Sequence, residues 1–193
     1  MTDTESIIKT ATVDLLLVDG HFGHTLSDVA EKSKISRTVI HYYFRSKENL
    51  SKIIKTEIVS NILLPKYDIL YGDDEIYSKI CHFISYAEKI AEKYPFLEVY
   101  VLSQFKFNDN LENYFKSRSK EIALFLGEIQ NLINEKKTNY DNPFAFLIDL
   151  ISLTSYSQMY LNFFLENKNF LPGIPITQNK NFKENIVRML FCK

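Results

Sequence analysis

At 193 residues the chain has room for one domain, or for a small domain fused to a larger one. Hydrophobic residues are 46% of it, and only five glycines and five prolines interrupt it, which favours long helices over a turn-rich β fold. The net charge of −1 excludes a chain-wide coating of nucleic acid and leaves room only for a local basic surface.

In chain order the sequence predicts about nine helices and no strand. The first runs from Asp3 to Asp19, with Ile8, Ala11, Leu15 and Val18 at helical spacing, and Gly20 ends it. Thr25 is placed to cap the second helix, with Asp28 three residues on completing a capping box. Its inner positions are Leu26, Val29, Ala30 and Ser33. Ser36 caps the third helix and Ser46 the fourth, which continues through Leu50, Ile53, Ile54 and Ile58 to about Leu64, before Pro65. Further helices are expected near 74–93, 95–106, 109–136, 143–167 and 180–192, with Asp73 and Asp74, Pro95 and Asn142-Pro143 as start signals. The expected division is a small unit over residues 1–48 and a larger one over 49–193, joined by the fourth helix.

The stretch from Glu31 to Lys55 holds seven lysines or arginines against two acids, Glu31 and Glu48. A solvated helix face would explain that charge by itself. The third helix adds a pattern. At about 100° per residue, Arg37, Thr38, His41 and Tyr42 fall on one arc and Val39, Ile40, Tyr43 and Phe44 on the other. A helix entering the major groove of DNA needs polar side chains outside and apolar ones beneath. Arg37 suits a bidentate contact to guanine, and Thr38 suits a thymine methyl or a phosphate. His41 and Tyr42 can reach bases or backbone, and Tyr43 can bury its ring and extend its hydroxyl to a phosphate. Lys47 stands in a helix's first turn, where the positive end of the dipole disfavours a cation unless an anion binds there. The same logic places Thr25, Ser27 and the cap Ser36 beside the DNA backbone.

These residues closely resemble the TetR family of bacterial transcription regulators. The resemblance begins with Ala11, Leu15, Leu16 and Gly20. It is densest over Thr25, Val29-Ala30, Ile35-Ser36, Ile40, Tyr43-Phe44, Ser46-Lys47-Glu48 and Leu50, about the first quarter of the chain. It implies that the second and third helices form a helix-turn-helix, that the third reads the major groove, and that Tyr43 and Lys47 contact the backbone. It further implies a helical C-terminal domain that binds a small molecule and dimerises, in a regulator that is most often a repressor. Lys34 stands where the family usually has glycine, Thr38 replaces a common glycine and His41 a common tyrosine. The last two alter the reading face and so leave the operator sequence open.

The C-terminal part has no diagnostic motif. The fold class expected overall is all-α, with a three-helix helix-turn-helix unit joined by a fourth helix to a ligand-binding and dimerisation domain. One recognition helix reads little DNA, and a two-fold homodimer on a palindromic operator doubles the site. The dimer surface is expected on 143–167 and 180–192, as a four-helix bundle with the partner's pair. Phe144 to Leu165 carries a single charge, Asp149. Its serines, threonines, Gln158 and Asn162 make it too polar for a lipid-facing span, so no membrane partner is expected.

Aromatic density suggests a pocket for an apolar or aromatic ligand. The candidates are Phe83, Tyr86, Phe96, Tyr100, Phe105 and Tyr114. Phe115, Phe125, Tyr156, Met159 and Tyr160 complete the set. The competing reading makes this part a protein-docking module without an inducer. No catalysis, cofactor or metal is expected, because the four histidines form no ligand spacing with the acids or with Cys81 and Cys192, and no nucleophile motif or phosphate loop occurs. Residues 1–20 carry scattered acids rather than a secretory leader pattern, and a reduced cytoplasmic location is expected.

Overall fold

The computed structural model describes residues 3–103, 109–167 and 181–191. Among them there are eleven α-helices and no strand. The head comprises α1 (Asp3–Leu17), α2 (Leu26–Ser33), α3 (Arg37–Phe44) and α4 (Lys47–Ile58). A π-helical turn, Val59–Leu63, leads into α5 (Leu64–Leu70). The body adds α6 (Ile76–Lys93), α7 (Leu97–Ser103), α8 (Asp109–Ser117), α9 (Ser119–Asn134), α10 (Pro143–Glu166) and α11 (Phe182–Leu190).

Hydroxyl caps set the starts of the short head helices. Thr25 accepts from the backbone of Ser27 and Asp28, and its own N–H donates to Asp28 Oδ2 at 2.6 Å, closing the capping box. Ser36 accepts from Val39 N, and Ser46 from Asn49 N. Asn49 also donates its side-chain amide to Phe44 O at 2.9 Å, tying the start of α4 to the end of α3. Lys34 ends α2 in the left-handed conformation, φ 59°, at a cost of about 1 kcal/mol for a side chain there.

Two buried clusters result. The first joins Ile8, Leu15, Leu16, Val29, Ile40 and Phe44 of α1–α3 to Leu50, Ile54 and Ile58 of α4, and reaches Leu97 and Tyr100 of α7. The head's core therefore does not stop at residue 48; it takes in the inner face of α4. The second cluster gathers α5, α6, α9, α10 and α11 around Phe83, Phe125, Phe146 and Leu150. Lys9 bridges α1 to α4 through Glu57 at 2.8 Å.

The helix ends differ from expectation in several places. α1 stops at Leu17, and Val18 turns out to solvent at 39% exposure because the chain reverses at Gly20, φ +67°. Leu16 and Leu17 are buried in its place. Pro65 does not end the fourth helix. The π turn resets the backbone register, and Pro65 falls in the first turn of α5, where its missing N–H costs nothing. The expected 109–136 helix is broken at Arg118 into α8 and α9. α6 starts at Ile76, capped by the Glu75 side chain rather than by Asp73 or Asp74.

Candidate nucleic-acid interface

The three capped helix starts put the DNA candidates on the surface. Thr25 and Ser27 are exposed at the start of α2. Ser36, Arg37, Thr38, His41 and Tyr42 are exposed along α3, with Tyr42 at 68%. Tyr43 and Lys47 are half-buried. Tyr43 packs its ring edge-on to Tyr42, with centroids 5.5 Å apart, and joins the rim of the head's core. Lys47 lies close enough to His24 for its charge to be felt there, which brings the start of α4 beside the start of α2. Buried Ile40 and Phe44 hold α3 from beneath.

Electrostatics follow the caps. The backbone N–H and hydroxyl of Thr25 hold the Asp28 carboxyl below its ordinary range. Glu48 is held down in the same way, by its own N–H and by Ser46. His24 is buried beside them, and its pKa is pushed below the ordinary 6.5 by burial first and by Lys47 second.

Two side chains on this face escaped the sequence reading. Val39, expected inside, is 37% exposed, because α3 is only two turns long and just Ile40 and Phe44 reach the interior. Arg45 follows α3 at φ 66° and sets its guanidinium 5.7 Å from the Tyr42 ring centroid. No periodicity announces Arg45; the turn places it.

A cavity of about 790 Å³ lies between the α4–π segment and α7, α8 and α10. Of the aromatic candidates, Tyr100, Phe115 and Tyr156 line it, and Tyr67, which sequence reasoning passed over, lines it too. Phe83 and Phe125 belong to the body's core. Phe96 packs against Gly20 and, edge-on, against Phe22 at the junction of head and body. Tyr86 donates to Ile62 O and Tyr114 to Asp68. Met159 lines a separate small cleft beside Lys66, and Tyr160 is exposed on α10. Phe105 and Cys192 lie outside the described residues.

Along α10, Phe144, Ile148, Tyr156, Tyr160 and Phe163 are exposed, and Met189 of α11 is exposed as well. Among the described residues no helix is long and apolar enough to cross a membrane, and no group of three metal-ligating side chains occurs.

An all-helical chain with a capped helix-turn-helix, whose reading helix turns arginine, threonine, histidine and tyrosine outward, defines a helix-turn-helix DNA-binding regulator. Residues 8–52, about a quarter of the chain, match the model of the family described as bacterial regulatory proteins, tetR family, and the match spans α1 to α3 and the start of α4.

No curated protein matches the chain. Among solved structures it is similar to a candidate fatty acid metabolism regulator of Clostridium perfringens, at 19% identity and a TM-score of 0.61, over 95% of this chain and 96% of that one. It is similar also to a TetR family transcription regulator from Marinobacter aquaeolei, at 12% identity and a TM-score of 0.63, over 98% and 96%. At such identities the likeness is one of fold.

Proposed function

We propose that the protein is a homodimeric repressor that binds a palindromic operator in the cytoplasm and is released by a small ligand in the body. Residues 1–48 supply the reading surface and 49–193 the regulatory part, with α4 shared between them. Thr25, Ser27, Ser36, Tyr43 and Lys47 take the DNA backbone, and Arg37, Thr38, His41 and Tyr42 take the base edges.

The observation that carries this reading is the position of the cavity. Its wall includes Lys55, Ile58, Val59 and Leu63, on the same continuous helical element whose first turn holds Lys47. A ligand that favours one arrangement of that element shifts the population of the head's positions, and two heads moved apart no longer match one operator. The π turn on the cavity wall is a place where such an element changes register. A second connection runs through α7, which lines the cavity with Tyr100 and docks Phe96 on the turn after α1. A cavity of this size lies within the range of ligand sites and weighs against a body that only docks proteins.

The dimer surface is assigned to α10 and α11, which expose Phe144, Ile148, Tyr160, Phe163 and Met189, apolar or aromatic side chains that a partner copy would cover. Sedimentation at micromolar concentration is expected to give a dimer, and Tyr160→Glu a monomer. A wild-type monomer would end the dimer assignment. Selection of bound duplexes from a random library is expected to return a palindrome, and recovery of an asymmetric site would overturn the two-head reading.

A further inference from the structure

The cavity wall is largely apolar, and among the described residues its two carboxylates are already paired with lysines other than Lys55. Lys55, Glu98, Glu112 and Lys116 line it. Glu112 is held by Lys116 one helical turn away. Glu98 is held by Lys66, whose Nζ lies 3.0 Å from Glu98 Oε1 and 3.2 Å from Ser155 Oγ, with the lysine side chain only 3% exposed. Both carboxylates are thus matched. Lys55 is half-buried and has no carboxylate partner among the described residues. Tyr67 stands on the same wall with its ring on Phe83 and Phe115. Burial first and the Glu98 charge second push its phenol well up, so it stays a neutral hydrogen-bond donor.

A lysine left unmatched at the edge of an apolar chamber gains from one anion and loses from a cation. We propose that the cavity takes an amphiphile with a single carboxylate and an alkyl tail, the carboxylate on Lys55 and the tail against Leu63, Val101 and Phe115. Among the described residues one lysine exceeds the matched pairs, which fits one negative charge; a dianion would leave a charge uncompensated beside those apolar walls. The bound carboxylate then acts on α4 itself, eight residues or about 12 Å from Lys47. This inference rests on reading the cavity as the effector site.

The test is calorimetric titration of the full chain with dodecanoate, dodecanol and dodecyltrimethylammonium, each below its micelle concentration. Dodecanoate is expected to bind about ten-fold or more tighter than dodecanol, with the ammonium weakest. Lys55→Met should erase that preference while dodecanol affinity stays within about two-fold, and Lys55→Gln serves as the second variant, with thermal melts reporting folding. Equal binding of dodecanol and dodecanoate, or a preference that survives in Lys55→Met, overturns the carboxylate assignment and leaves the effector site standing. Failure of all three probes to bind a protein that still binds DNA overturns both. Should both variants unfold, the head-group series on the wild type decides.

Discussion

Head and body are both helical, but they treat volume differently. In the head, the apolar residues of α1–α4 close on one another, and Ile8, Val29, Ile40, Leu50 and Ile54 are fully buried around helices only two to four turns long. The hydroxyls of Thr25, Ser36 and Ser46 fix where three of those helices begin. The body has a core of its own around Phe83 and Phe146, yet it leaves a cavity of about 790 Å³ and exposed apolar side chains along α10. A DNA reader must hold side chains to a fixed geometry, which filled space and capped helices supply. On the proposed function, a body that answers a ligand holds volume in reserve, and one that pairs with its own copy leaves apolar side chains bare.

The largest expected effect breaks the comparison at its root. Ile40→Ala removes a fully buried side chain from beneath the reading helix and should cost about 2–5 kcal/mol, read by urea unfolding. Leu102→Ala, on the cavity wall and exposed, should cost no more than about 0.5 kcal/mol. Equal losses would mean that the cavity wall is packed as tightly as the head, and the contrast between the two regions would fail.

Next in size is a division within the head. Arg37→Ala should lose about 1–3 kcal/mol of discrimination between selected and scrambled duplexes, because a base edge loses its partner. Lys47→Ala should weaken both duplexes alike and lower the slope of log affinity against log salt by about 1. Anisotropy titrations at several salt concentrations separate the two. Base discrimination that follows Lys47 instead of Arg37 would reverse the assigned roles.

How far the sequence disclosed these regions follows the same contrast. Local rules write the head. The Thr25–Asp28 capping box, the caps Ser36 and Ser46, the left-handed turn at Lys34 and the inward Ile40 and Phe44 are all decided within a few residues of themselves. The departures there are Val18 and Val39, turned outward where helices end or run short, and Arg45, placed by a turn of positive φ that nothing in its neighbours announces. In the body, long-range contacts decide. Pro65 reads as a stop, yet the π turn before it carries the chain onward. The break at Arg118 is marked by no glycine or proline; ion pairs to Asp68 and Glu121 hold that arginine in place. Lys66 and Glu98 meet across 32 positions, and Lys55 borders a cavity lined from α4 through to α10, so no spacing rule could have gathered them.

Thr25→Ala tests whether local capping sets the head's geometry. It should cost about 0.5–2 kcal/mol, since Thr25 serves the N–H groups of Ser27 and Asp28 and receives the reciprocal bond. Ser78→Ala in the body serves as the control: its backbone N–H, not its hydroxyl, meets the Glu75 cap, and it should change little. Equal melting temperatures for the two variants would show that the Thr25 cap is incidental.

The smallest effect is a pH dependence built into the same corner. Asp28's carboxyl titrates lower in the folded chain than in the unfolded one, so its contribution is complete above the ordinary carboxylate range and disappears as pH falls through the folded value. His24 titrates below 6.5 when folded, because burial and Lys47 oppose its charge. Its neutral ring therefore favours folding fully above pH 6.5, and that contribution is lost as pH drops below 6.5, where the unfolded chain binds the proton that the folded one refuses. Melting temperature should decline from pH 7.5 to 5.5, and His24→Leu should flatten that decline while leaving the Asp28 decline at lower pH. A His24→Leu curve parallel to the wild type across this window would place the pH sensitivity elsewhere in the molecule. DNA phosphates near Thr25 and Lys47 would favour the protonated ring, so the wild-type decline should also shrink when the selected duplex is bound.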